Sequence, residues 1–71
     1  MKSRNQDKPS LPTLQRKILK ALADDHTMKD AASRLGISYN TVHAQLRSIY
    51  KQLGVRGSNA AIAKSMRAGL I

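Results

Sequence analysis

Seventy-one residues allow at most one small domain, with a core near the lower limit for independent folding. Thirteen Lys and Arg against four Asp and Glu give a formal net charge of +9 and a pI near 10.8, a balance that disfavours carboxylate-lined ligand sites and favours polyanions, nucleic acid before an anionic membrane. The absence of Cys excludes disulfides and thiolate metal sites, no stretch approaches the ~20 apolar residues of a membrane span, and the opening MKSRNQDKPS lacks the apolar run of a secretory signal.

Phe and Trp are also absent, so a core must come from Leu, Ile, Val, Ala and Met, which favours closely packed helices over sheets. Residues 1–10 are polar, carrying Lys2, Arg4 and Lys8 against Asp7, and read as a flexible N-terminal arm or linker ahead of a domain at 11–71. The sharper version is an arm that tracks phosphates or a minor groove. A first helix is expected over Thr13 to Asp24, with Leu14, Ile18, Leu19 and Leu22 as its apolar stripe and Gln15, Arg16, Lys17 and Lys20 on the other face. Ser10 or Thr13 would cap it, and Asp24-Asp25 oppose its dipole, so fraying is expected there. His26 reads as a loop residue.

A short second helix is expected over Met28 to Leu35, capped by Thr27 with Asp30 three residues on, and burying Ala31, Ala32 and Leu35. Gly36 sits where a left-handed residue ends a helix, and Ile37 can fold back behind it. Ser38 then caps a third helix over Tyr39 to Leu53. Its seam is Val42, Leu46, Ile49 and Leu53. A projection at ~100° per residue puts Asn40, Ala44, Arg47 and Lys51 opposite, with His43 beside them and Tyr39 and Tyr50 at the border. One packed side and one polar, basic, small-residue side is what a helix needs to enter a DNA groove, so Thr27 to Leu53 reads as a helix-turn-helix. Gly54 and Val55 close the third helix. A last helix, about Asn59 to Ala68, would point Ile62 and Met66 inward and leave Ala60, Ala63, Lys64 and Arg67 outside, with Gly69 ending it and Leu70-Ile71 sealing the core edge.

These residues carry a resemblance. Leu11 through Ile71 is similar to the LuxR/GerE-type helix-turn-helix domain, through Ile18-Leu19, Lys29, Ala32, Arg34-Leu35-Gly36-Ile37-Ser38, Thr41-Val42, Ile49, Leu53-Gly54-Val55, Ala61 and Ala63. The resemblance implies an all-α, four-helix (tetrahelical) fold in a bacterial transcription regulator, with the third helix in the major groove of double-stranded DNA. Departures fall at Gln15 and Lys17, where the family has acidic residues, and at His43, Gln45, Asp25 and Ala60. Sequence preference should depart from the relatives at His43 and Gln45.

On this reading His43, Ala44 and Arg47 meet bases. Arg47 offers a planar fork for guanine or phosphate, Ala44 allows close approach to a thymine methyl, and His43 can donate to a base or phosphate, with affinity rising as pH falls if it charges on binding. Lys29, Ser38, Tyr39, Asn40, Thr41 and Lys51 are the expected phosphate contacts. The resemblance also implies a weak homodimer through the last helix, at Ala60, Ala63, Lys64 and Arg67, on an inverted repeat. RNA polymerase or another regulator is a further candidate partner, and no membrane, cofactor or metal is called for. A bacterial cytoplasmic, nucleoid-associated location follows, and the initial Met and short polar head suit a stand-alone protein. Four acids, two separated His and no Cys supply no nucleophile–base pair or carboxylate pair, so no enzyme is expected. Two alternatives use the same scaffold on a transcription partner: a protein-interaction module, and a sigma-region-4-like factor, against which the helix after Leu53-Gly54-Val55 argues.

Overall fold

The computed structural model describes residues 11–25 and 27–71, which form α1 (Thr13–Asp25), α2 (Met28–Leu35), α3 (Tyr39–Leu53) and α4 (Ser58–Arg67), with no strand among them. The all-α, four-helix expectation holds. The arm expected at 1–10, the Ser10 cap and the loop reading of His26 lie outside the described residues. No helix among the described residues is long and apolar enough to cross a membrane.

Local chemistry sets the helix ends. At α1 the Pro12 carbonyl accepts the first helical bond from the Arg16 amide at 3.1 Å, so Pro12 itself stands at the cap. The helix persists through Asp25, one residue past its expected end. Thr27 is extended, and its Oγ1 accepts from the Asp30 amide at 3.0 Å, as the Thr-x-x-Asp spacing implies. Gly36 then adopts φ 70°, its N–H donating to the Ser33 carbonyl at 3.2 Å while the Ile37 N–H reaches back to Ala32 at 3.1 Å. A Cβ at Gly36 would meet nothing within 4 Å, so the left-handed backbone, not space, is what requires glycine. Ser38 repeats the N-cap, its Oγ accepting from the Thr41 amide at 3.0 Å. Two bond-fixed ends within three residues hold the angle between α2 and α3.

The core is aliphatic. Leu11, Ile18, Leu19, Ala21 and Leu22 of the first segment meet Ala31 and Ala32 of α2, the Val42–Leu46–Ile49–Leu53 seam of α3, and Ala61 of α4. Leu35, Ile37, Val55, Leu70 and Ile71 pack around it half-buried. α1 touches all three other helices and acts as the buttress on which α3 is set.

Two inward assignments fail. Leu14 is 37% exposed and Gln15, expected outside, is 5% exposed. The buried residues of α1 are Gln15, Ile18, Leu19, Ala21 and Leu22, a stripe centred so that Leu14 swings off its edge. In α4 the inward residues are Ala61 and Ser65, while Ile62 is half-buried and Met66 is 57% exposed. Small side chains lie at the closest crossing, where large ones would hold α4 away from α1 and α3. The last helix also spans Ser58–Arg67 rather than Asn59 to Ala68, starting from Gly57 with no side-chain cap.

Ser65 Oγ is buried and has no hydrogen-bond partner among the described residues. Replacing an unsatisfied hydroxyl by hydrogen removes its desolvation cost, so Ser65→Ala should raise stability by about 1 kcal/mol and Tm by about 4–8 °C. A lowered Tm in thermal melting would show that this hydroxyl is satisfied in solution.

Candidate nucleic-acid interface

α3 is sharply two-sided. Its four aliphatic seam residues are at most 3% exposed, which leaves Asn40, His43, Ala44, Arg47, Ser48 and Lys51 in solvent. No Asp or Glu occurs anywhere in the helix, so nothing on it repels a phosphate. Ala44 lies at the centre of this surface, flanked one turn away by Asn40 and Arg47, and its short side chain leaves a depression between longer donors. Such a surface can approach a duplex closely and offer donors to base edges and phosphates together.

The other expected contacts divide. Tyr39 is 48% exposed, with its ring centroid 5.9 Å from that of His43 at 52°, so the two rings form one unit at the start of the surface. Ser38 and Thr41 are occupied with each other: their hydroxyls lie 2.8 Å apart while Ser38 Oγ holds the Thr41 amide. Their first role is therefore to cap α3. Lys29 is exposed in the first turn of α2, on a different element from the α3 group. Of the residues expected at a dimer contact, Ala60, Ala63 and Arg67 are exposed along α4. Lys64 is half-buried, and its Nζ donates to the Leu53 carbonyl at 2.7 Å. That bond puts a cation on the C-terminal carbonyls of α3, where the helix dipole favours it. Lys64 thus ties α4 to the end of α3.

Sequence reading missed a polar cluster on one flank of α3. Gln15 Nε2 donates to Gln45 Oε1 at 2.9 Å and approaches Ser48 Oγ at 3.5 Å, while Gln52 Nε2 donates to Gln15 Oε1 at 3.1 Å and to Ser48 Oγ at 3.1 Å. Gln45, expected to help set base preference, is half-buried and turned into this cluster. On the border of α3, burial pushes the Tyr50 hydroxyl above the usual phenol range, opposed by a hydrogen bond with Ser58.

A groove of about 340 Å³ runs between α1 and α4, lined by Leu22, Ala23, Ser58, Asn59, Ile62 and the exposed Met66. Among the described residues no three His, Cys, Asp or Glu converge to hold a metal ion.

The model of a family described as bacterial regulatory proteins, luxR family, matches residues 9–66. The chain is 36% identical over 64 residues to the spore germination protein GerE of Bacillus subtilis (strain 168), an alignment covering 90% of this chain and 86% of that protein. It is 41% identical over 61 residues to the probable transcriptional regulatory protein SgaR of Hyphomicrobium methylovorum, covering 86% of this chain and 28% of that protein. A third relative, the transcriptional regulatory protein YdfI of Bacillus subtilis (strain 168), is 37% identical over 54 residues, covering 76% of this chain and 25% of its own length. GerE is thus matched over most of its length, and the two others over about a quarter of theirs. The chain belongs to the luxR family of bacterial regulatory proteins.

Proposed function

We propose that this domain is a sequence-specific DNA-binding transcription regulator that reads the major groove of double-stranded DNA with α3. The observation that carries the reading is the acid-free outer face of α3, with Ala44 recessed between Asn40, His43, Arg47 and Lys51. In this reading His43, Ala44 and Arg47 face bases. Lys29, Tyr39, Asn40 and Lys51 hold phosphates, together with the helix start that Ser38 and Thr41 cap. The protein acts on nucleoid DNA in the bacterial cytoplasm.

In-vitro selection of bound duplexes followed by Arg47→Ala tests the reading. If Arg47 is bidentate to a base, the variant should lose about 1–3 kcal/mol on the selected site and relax preference at one position. Wild-type affinity of the variant on that site would remove Arg47 from the reading set.

Two copies are proposed to associate weakly through α4 on an inverted repeat whose half-sites lie about 10 bp apart. Exposed Ala60 and Ala63 permit close approach of a second copy, and exposed Met66 supplies apolar surface to cover. Arg67 lies at the margin of that surface, and Lys64 supports it from within. A charge at the centre, Ala63→Glu, should weaken binding to the palindrome more than to a single half-site, read by titration on both duplexes. Equal loss on the two would count against α4 as the contact.

A further inference from the structure

Gln15 and Ser65 are the buried polar side chains among the described residues, and they differ in one respect. Ser65 has no partner, whereas Gln15 uses both ends of its amide on α3. Its contacts reach Gln45, Ser48 and Gln52, positions i, i+3 and i+7 on one flank of that helix, so a single side chain of α1 is fastened across two turns of α3. We propose that Gln15 is a positioning residue for base recognition, fixing the rotation and axial register of α3 and thereby where Ala44, Arg47 and Lys51 meet the groove. The proposal rests on the reading of α3 as the DNA-contacting helix.

The rest of the α1–α3 contact constrains this register less sharply. Ile18, Leu19 and Leu22 meet Val42, Leu46, Ile49 and Leu53, and apolar contact is non-directional, so an aliphatic seam resists separation more than it resists rotation. Rotating α3 by 10° displaces an atom ~6 Å from its axis by about 1 Å, enough to misalign a bidentate hydrogen bond. The amide cluster is directional: rotation carries Gln45 and Gln52 sideways together and bends both of their bonds to Gln15, while an axial slide shortens one and stretches the other. Ser48 links the cluster to the reading face: it receives Gln52 Nε2 on one side and is itself exposed beside Ala44, Arg47 and Lys51.

The energetics favour register over stability as the role. A buried amide costs free energy unless bonded, and its bonds return little more than that cost, so an apolar side chain of equal length should fold as well. Gln15→Met removes every bond while keeping length and volume. Gln15→Glu restores the network, because a carboxylate accepts from Gln52 and, with the Gln45 amide turned over, from Gln45 as well.

The test measures Kd for wild type, Gln15→Met and Gln15→Glu on a duplex selected by the wild-type protein and on a scrambled duplex at one salt concentration, alongside thermal melts. Gln15→Met should melt within a few degrees of wild type and bind scrambled DNA within about twofold of it, yet bind the selected duplex about five- to tenfold more weakly. Gln15→Glu should match wild type within about twofold on both duplexes. An unchanged ratio of the two affinities in Gln15→Met overturns the proposal, as does equal loss on both duplexes, which is what a merely structural role produces. If Gln15→Met does not fold, the exposed Gln52→Ala decides, since it cuts the same network without touching the core; a ratio lowered by about twofold or more supports the proposal, and an unchanged ratio overturns it. A wild-type protein that prefers no duplex overturns the DNA reading of α3 and this proposal with it, an outcome visible before any variant is made.

Discussion

Leu46→Ala should abolish the cooperative thermal transition above 37 °C, or lower it by tens of degrees. Leu46 is 2% exposed in the middle of the α3 seam, between Val42 and Ile49 and against the first segment of the core. Truncating a buried leucine costs about 3–5 kcal/mol, because the transferred methyls and the cavity left behind both count. A domain of this size has only about 3–9 kcal/mol in total. The fully buried cluster is wholly aliphatic, and its Ala31, Ala32 and Ala61 are too short to extend into the gap. DNA binding should vanish with the fold, although Leu46 faces away from the proposed groove. Its neighbour gives the contrast: Arg47 is exposed, and Arg47→Ala should melt within about 0.5 kcal/mol of wild type while losing DNA affinity. Circular dichroism melts and binding titrations on the pair separate the packed side of α3 from the reading side. A Leu46→Ala protein that melts within a few degrees of wild type would mean that the seam is not the centre of the core.

What could be read beforehand depended on how each element is specified. α2 and α3 were legible to the residue because each is bounded by short-range chemistry: Thr27 and Ser38 at the starts, Gly36 and Gly54 in the left-handed conformation at the ends. The α3 seam was legible because four large aliphatics recur at helical spacing with nothing competing for that face. α1 and α4 were placed within a residue or so at each end, but their inward faces were misjudged. Both errors came from ranking side chains by hydropathy. Leu14 and Met66 are apolar but sit off the contact line, while Gln15 and Ser65 are polar and on it. Spacing held a signal for Gln15, which lies three, four and seven residues before Ile18, Leu19 and Leu22. Nothing local marked its partners, because Gln45, Ser48 and Gln52 are more than 29 residues away and meet it only once α1 and α3 have docked. Lys64 was hidden for the same reason, its bond to Leu53 existing only after α4 folds back. Exposed positions such as Asn40, Ala44, Arg47 and Lys51 needed only the helix period to be grouped. Assigning them bases or phosphates draws on chemistry outside the chain.

Salt should weaken binding steeply, and the steepness can be used to count protomers. In the proposed mode each protomer neutralises phosphates with Lys29 and Lys51 at least, so two protomers neutralise about four, for a slope of log K on log salt near −3.6. Between 50 and 200 mM salt that amounts to a loss of about 150-fold. Lys51 is exposed in the last turn of α3, and Lys51→Met keeps the aliphatic stem while removing the charge, leaving helix and core as they are. The substitution should flatten the slope by about 0.9 for every protomer bound, hence by about 1.8 on an inverted repeat and about 0.9 on an isolated half-site. Any contribution from Lys2, Arg4 or Lys8 steepens wild type and variant alike and cancels in the difference. A slope that does not change on either duplex takes Lys51 out of the phosphate set. A change of about 0.9 on the palindrome as well as the half-site would mean that one protomer occupies each duplex, and the paired mode through α4 would fall even if every base contact of α3 stood.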